Sequence, residues 1–390
     1  MTRQTLDTRA VHSGREDLAA RGLHAAPLDF STVYPAYDTG SEAARLDAFA
    51  AGELPEGRPV YGRVGNPTVA RFERAVADLE GCAAAVAFSS GMAALTACLL
   101  ASVAQGRRHI VAIRPLYGTS DHLLTSGLLG TTVTWTTPEA LPDAIRPDTG
   151  LVIAETPANP TLAEHDIARL AEAATGVPLL VDNTFATPVL QRPVEHGAAV
   201  VLHSATKFLG GHGDVMGGVV ACGEEFARAL RQIRIVTGAI LHPFAGYMLL
   251  RGLATLPVRV RRAAESAADL AQRLAAHPAV TRVCYPSLNP DRPSGQMEGG
   301  GCLVSFEVAA DPHVVVGSVE LITPAVSLGG VDTLIQHPAS LTHRIVADED
   351  RWSGGIGDRL LRLSVGLEDV DDLWRALDRS LSQAYEEVHP

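Results

Sequence analysis

The 390 residues include 32 Lys+Arg against 44 Asp+Glu, a formal charge of −12, with 46% hydrophobic and 19% charged residues. This is a globular composition, long enough for two or three domains or for one large domain with a smaller one attached. The acidic balance speaks against nucleic acid or an anionic membrane as partner, and no apolar run approaches the roughly 18–20 residues of a membrane span.

The chain opens on a polar stretch, MTRQTLDTRAVHSG, without the apolar core of a signal peptide, so a soluble cytoplasmic protein is expected. Residues 1–60 read as an irregular arm for subunit contacts, with a short helix near Ser41–Ala51. Asn66-Pro67-Thr68 is a helix start, and Val69, Phe72, Val76 and Leu79 follow at helical spacing until Gly81. Ala83–Phe88 reads as a strand, and Ser90-Gly91-Met92 opens an apolar helix to about Val103. Further strands are expected at Ile110–Ile113, Thr132–Trp135, Leu151–Glu155, Leu179–Asp182, Val200–His203 and Val219–Ala221, with helices such as Asp166–Ala174 between them. Apolar strands alternating with helices imply an α/β fold with a mostly parallel sheet, whose ligands sit at the carboxyl ends of strands. Beyond residue 245 come a long helix at Val260–His277, strands at Val280–Tyr285 and Cys302–Val308, a helix near His313–Leu321 and a final helix at Asp371–Glu386. The acids Glu368, Asp369, Asp371 and Asp372 suit the first turn of that last helix. The expected organisation is an arm at 1–60, a large domain at 61–245 and a smaller α+β domain at 246–390.

Five widely spaced cysteines without a C-x-x-C pair predict free, mostly buried thiols. His212 and Asp214 lack further ligands at metal spacing, so no metal is expected. Arg259, Arg261 and Arg262 read as a solvated helix face.

Among the 32 basic residues, 31 are Arg and one is Lys, Lys207. Arginine cannot form a stable imine or give up its proton near neutrality, so a lone lysine suggests amine chemistry. Lys207 follows a strand, flanked by the hydroxyls of Ser204 and Thr206 and by glycines suited to a phosphate. Asp182 ends another strand, where a carboxylate can pair with a protonated ring nitrogen. Asn159 sits in a double-proline turn, Gly91 and Met92 offer helix N-terminal amides, and Tyr117 supplies an aromatic after a strand. Together these parts describe pyridoxal 5'-phosphate chemistry.

In order, the motifs are YGRVGNPT (61–68), SSGMAAL (89–95), LYGTSDH (116–122), ETPANPT (155–161), VDNTFATP (181–188), HSATKFLGGHGD (203–214), AVSLGGVDTLIQHPASLTH (325–343) and LRLSVGLED (361–369). The sequence resembles, over nearly its whole length, the Cys/Met-metabolism (trans-sulfuration) family of pyridoxal-phosphate enzymes, which includes cystathionine γ-lyase, methionine γ-lyase and cystathionine γ-synthase. The resemblance implies the aspartate-aminotransferase-like fold (fold type I). It makes Lys207 the Schiff-base lysine, Asp182 the pyridinium partner, and Gly91, Met92, Ser204 and Thr206 the phosphate cradle; Thr184 joins the cofactor site. Tyr117 would stack on the ring and protonate the departing sulfur, and Asn159 would contact the phenolic oxygen. Ser327 and Arg362 would hold the substrate carboxylate. Residues matching Tyr61 and Arg63 reach the phosphate of a neighbouring subunit, within a homotetramer built from two such dimers.

Four positions bear on the substrate. Cystathionine-specific relatives commonly carry Glu where Val60 and Val326 stand, and valines make an apolar pocket suited to methionine or homocysteine. Methionine γ-lyases usually carry Cys where Thr119 stands, and the family's Glu in SLGG-x-E is Asp332 here. The expected activity is α,γ-elimination of a sulfur amino acid to 2-oxobutanoate, ammonia and a thiol, with γ-replacement as the alternative.

Overall fold

The computed structural model describes residues 4–55 and 57–388. Its larger sheet comprises β1 (Ala84–Phe88), β2 (His109–Ile113), β3 (Thr132–Thr136), β4 (Thr149–Glu155), β5 (Leu179–Asp182), β6 (Val200–His203) and β7 (Gly218–Cys222). Their order is β1-β7-β6-β5-β4-β2-β3; β7 runs antiparallel to both neighbours and the other pairs are parallel. β1, β2 and β7 are buried at every residue, as their nearly continuous apolar runs require of a sheet covered on both faces, with His109 at the start of β2 held by Thr149 and Thr134. Residues such as Phe72, Phe208 and Leu249 pack one face, and Leu95, Leu99 and Leu230 the other.

The helix Pro67–Glu80 starts as the sequence predicts. Asn66 Oδ1 accepts from the amides of Thr68 (2.9 Å) and Val69 (3.2 Å), and Gly81 stops the helix at φ +80°. The stretch before residue 38 is not irregular throughout: Leu6–His12 is helical. Buried Arg9 anchors that helix by donating to the Asp78 carbonyl at 2.5 Å, a long-range tie invisible to local pattern.

A second sheet follows, built of β8 (Val280–Cys284), β9 (Leu303–Val308), β10 (Thr323–Pro324), β11 (Leu334–Gln336) and β12 (Leu360–Ser364), in the order β10-β11-β12-β9-β8. β11 and β12 escape sequence reading because one has three residues and the other is interrupted by an arginine. The long helix Leu256–Ala276 packs on β8 and β9. Not all four acids near the last helix, Val370–Val388, serve its first turn. Asp369 Oδ1 takes the amides of Asp371 (3.0 Å) and Asp372 (3.3 Å), whereas Glu368 turns to the Thr333 amide and hydroxyl, both at 2.7 Å.

Arg259 also departs from expectation. It is buried rather than solvated, and donates to the carbonyls of Phe208 and Gly252, both at 2.8 Å, bracing the loop after Lys207. Arg261 stays on the surface with Asp7. The five cysteines are free thiols, three buried and two half-buried.

Candidate active site

Parallel pairing puts Glu155, Asp182 and Leu202 side by side at the carboxyl ends of β4, β5 and β6. A cavity of about 250 Å³ opens there. Its wall includes Gly91, Met92, Tyr117, Asn159, Asp182, Thr184, Ser204, Thr206 and Lys207, closed by Val326, Ser327 and Arg362 from the second sheet's side. The sequence motifs 89–95, 116–122, 155–161, 181–188, 203–214, 325–343 and 361–369 therefore meet at one place.

Lys207 Nζ donates to Ser327 Oγ at 2.6 Å. Burial, aided by the nearby Arg362 charge, lowers its pKa to about 8, so an appreciable fraction is neutral amine near neutrality. Ser327 reaches it from a backbone at φ +91°, a region that costs an L-residue roughly 1–3 kcal/mol and that clusters at functional sites. Arg362, 2% exposed, donates to Asn159 Oδ1 (2.6 Å) and to the Ser327 carbonyl (2.9 Å). Gln336 faces it across the β11–β12 pair, and with its amide oxygen turned inward accepts at 2.6 Å.

Asp182 Oδ1 accepts from the Thr184 amide (3.0 Å) and hydroxyl (2.5 Å), and Thr184 Oγ1 in turn accepts from the Ser204 amide (2.9 Å). Burial pushes the Asp182 carboxyl upward, against those two Thr184 bonds. Burial raises Glu155 well above the carboxylate range, the Asp182 charge raises it further, and the amides of Tyr117 (2.8 Å) and Asn159 (2.9 Å) oppose both. Glu155 thus positions two site residues at once, a role the sequence signals only by a strand-end glutamate.

The cavity suits an aryl phosphate. The amides of Gly91 and Met92 open the helix Gly91–Ala104 and have no acceptor among the described residues, and Ser204 Oγ has no partner among them either. A Cβ at Gly91 would come within 2.9 Å of Ser204, so only glycine leaves that cradle open. Thr206 Oγ1 is engaged with Gly217, accepting from its amide (3.0 Å) and donating to its carbonyl (3.2 Å), which fixes the turn. Asp182 Oδ2 has no partner among the described residues and is free for a ring N–H.

Four expected residues stand outside this wall. Val60, Tyr61, Arg63 and Thr119 do not line the cavity of their own chain. Tyr61 is exposed, and Arg63 donates to the Ile235 carbonyl at 2.7 Å. Sequence reasoning missed Gln336, Phe185 and Met216; Phe185 lies under the Arg362 guanidinium, 5.8 Å from its ring centre.

An amine, a carboxylate and a phosphate cradle at strand ends, with a guanidinium opposite, define a fold type I pyridoxal-phosphate enzyme. The sequence matches the Cys/Met metabolism PLP-dependent enzyme family over residues 7–382, and the chain belongs to that family. It is 67% identical over 379 residues to the L-methionine gamma-lyase of Streptomyces avermitilis, covering 97% of this chain and 89% of that one. It is 54% identical over 376 residues to the L-methionine gamma-lyase of Brevibacterium sandarakinum, covering 94% and 95%. Among solved structures it is similar to cystathionine gamma synthase from Xanthomonas oryzae pv. oryzae in complex with aminoacrylate and cysteine, with a TM-score of 0.89, 34% identity, and coverage of 99% of this chain and all of that one.

Proposed function

We propose that the protein eliminates the γ-methylthio substituent of L-methionine, consuming one water and releasing 2-oxobutanoate, ammonia and methanethiol. The observation that carries this reading is Val326 at the cavity mouth beside Ser327, where an apolar side chain accepts a thioether and offers nothing to a second ammonium. The relatives named for that activity support it.

Pyridoxal phosphate, when bound, supplies an aldehyde for an amine and an electron-withdrawing ring for the carbon bearing that amine. Lys207 Nζ would hold it and, once displaced by the substrate amine, would take the Cα proton, pass it on, and then take one from Cβ, whose electron pair expels the sulfur from Cγ. Ser327 Oγ orients that amine, and the Arg362 charge helps keep it unprotonated. Asp182 holds a proton on the ring nitrogen. Gly91, Met92 and Ser204 would take the phosphate, with Thr206 bracing the turn through Gly217. The Arg362 fork binds the α-carboxylate, with Asn159 and Gln336 fixing its plane. Tyr117, whose turn is tied down by Glu155, protonates the departing sulfur.

Tyr61 and Arg63 serve the site of a partner copy in this reading. In support, their surroundings expose apolar groups: Val33, bridged to Tyr61, is 74% exposed, and Val236, beside the Arg63 anchor, is 86% exposed. We propose a dimer with shared sites, paired into a tetramer.

The decisive experiment incubates the holoenzyme with L-methionine and no added thiol. Release of 2-oxobutanoate and methanethiol is expected. Turnover only with an O-acylhomoserine plus a thiol would replace this reading with γ-replacement.

A further inference from the structure

His343 belongs to no role above, yet it is 1% exposed and bonds both the Leu116 turn and Thr342 of the cavity wall. It lies in the loop that joins β11 to the helix Asp348–Ser353. Its Nε2 lies 3.2 Å from the carbonyl of Leu116, the residue before Tyr117, and its Nδ1 lies 3.1 Å from Thr342 Oγ1. A carbonyl only accepts, so Nε2 carries the hydrogen and Nδ1 accepts from the Thr342 hydroxyl: one tautomer satisfies both contacts. Burial first, and the Arg362 charge second, push the imidazole down to about 4, so it is neutral wherever the enzyme would work.

A second observation places the same two segments in hard contact. A Cβ at Gly118 would lie 2.2 Å from the Thr342 carbonyl, a backbone atom that cannot swing away. Gly118 is the first residue of the helix Gly118–Ser126, which Tyr117 caps, and Thr342 itself lines the cavity. A third tie reinforces the junction. Arg114 donates to Asp121 on that helix (2.7 Å) and to Asp350 (2.5 Å), which follows the 337–343 loop.

We propose that His343 is a positioning residue for Tyr117, setting the Tyr117 turn in register with the Arg362 wall through its bond to Leu116. The loop of residues 337–343 is then a clamp on the aromatic side of the cavity, and Gly118 is the socket that lets it close. The catalytic part of this inference rests on the role given to Tyr117 above; the structural part does not.

The test compares His343→Leu, His343→Gln and Gly118→Ala, with Tyr117→Phe as reference. In His343→Leu the Leu116 carbonyl loses its donor. Amide hydrogen exchange over residues 116–121 of the apoprotein should quicken roughly tenfold, the scale of one buried hydrogen bond. Turnover should fall by a similar factor with KM for L-methionine nearly unchanged. Gln places a donor near the old Nε2 position and should restore both. Gly118→Ala should reproduce the faster exchange from the other side of the contact, and the two substitutions together should be less than additive. Unchanged exchange in His343→Leu overturns the proposal. So does a Gln variant that stays as impaired as Leu, for then the imidazole only fills space. If Tyr117→Phe leaves turnover intact, the proton-donor reading of Tyr117 fails, and the exchange data alone decide whether His343 holds the turn.

Discussion

Burial does to Lys207 what a surface position could not: it makes a lysine partly neutral near physiological pH. The native amine has a pKa of about 8 and the unfolded chain has the ordinary lysine value, so the native state binds fewer protons between them. In the apoprotein this group costs stability below about pH 8, and the cost fades as pH rises toward the unfolded value. The same titration governs its chemistry. Covalent attachment of pyridoxal phosphate to the apoprotein, followed by absorbance, should speed up about tenfold per pH unit below roughly 8 and then level off. Arg362→Met removes a neighbouring positive charge and should move the inflection upward. An inflection that does not respond to Arg362 would mean that burial alone sets it. Lys207→Arg keeps a cation but no usable base, and turnover should drop by at least ~10²–10⁴-fold.

At the scale of elements, the proposed phosphate cradle is divided between a helix end and a turn. The helix Gly91–Ala104 offers two free amides, and the turn after β6 offers Ser204, with Thr206 bracing it against Gly217. Gly91→Ala pushes a methyl to within 2.9 Å of Ser204 and should weaken pyridoxal phosphate binding by roughly tenfold or more. Pyridoxal, which lacks the phosphate, should bind the variant and the wild type alike in fluorescence titrations. Equal losses for both ligands would argue against the cradle. Much of this arrangement is legible in sequence because it is local: strand, small-residue turn and helix start follow one another at 84–104, and strand and turn at 200–209. Arg259 was misread because its partners, Phe208 and Gly252, lie on other segments, and helix periodicity near 260 carries no record of them. Glu155 shows the same blindness. Its strand end was visible, but its grip on two amides depends on the turns at Tyr117 and Asn159.

At the scale of the molecule, one wall of the cavity comes from the parallel sheet and the other from segments flanking the five-stranded sheet. In the proposed dimer, Tyr61 and Arg63 would come from a third contributor, a second copy of the chain. Arg63→Ala should weaken cofactor retention, and mixing it with Lys207→Ala under conditions of subunit exchange should restore turnover that neither protein has alone. A mixed dimer with shared sites concentrates both lesions in one site and leaves the other whole. Failure to recover activity after exchange, verified by mass, would confine the site to one chain. The proposed subunit-spanning role of Tyr61 and Arg63 rests on motif 61–68 and its family resemblance. Within their own chain Tyr61 is exposed and Arg63 bonds a backbone carbonyl, and only the exposed Val33 and Val236 nearby hint at a covering partner.

Amine-directed reagents meet an unusual exterior on this protein. Succinimidyl esters and aldehyde fixatives find no lysine except the recessed one at 207, since guanidinium groups stand everywhere else. Coupling the protein to a support through amines therefore uses the chain terminus or sacrifices the reacting group. The extent to which a bound ligand protects the second of these from labelling would count functional centres directly.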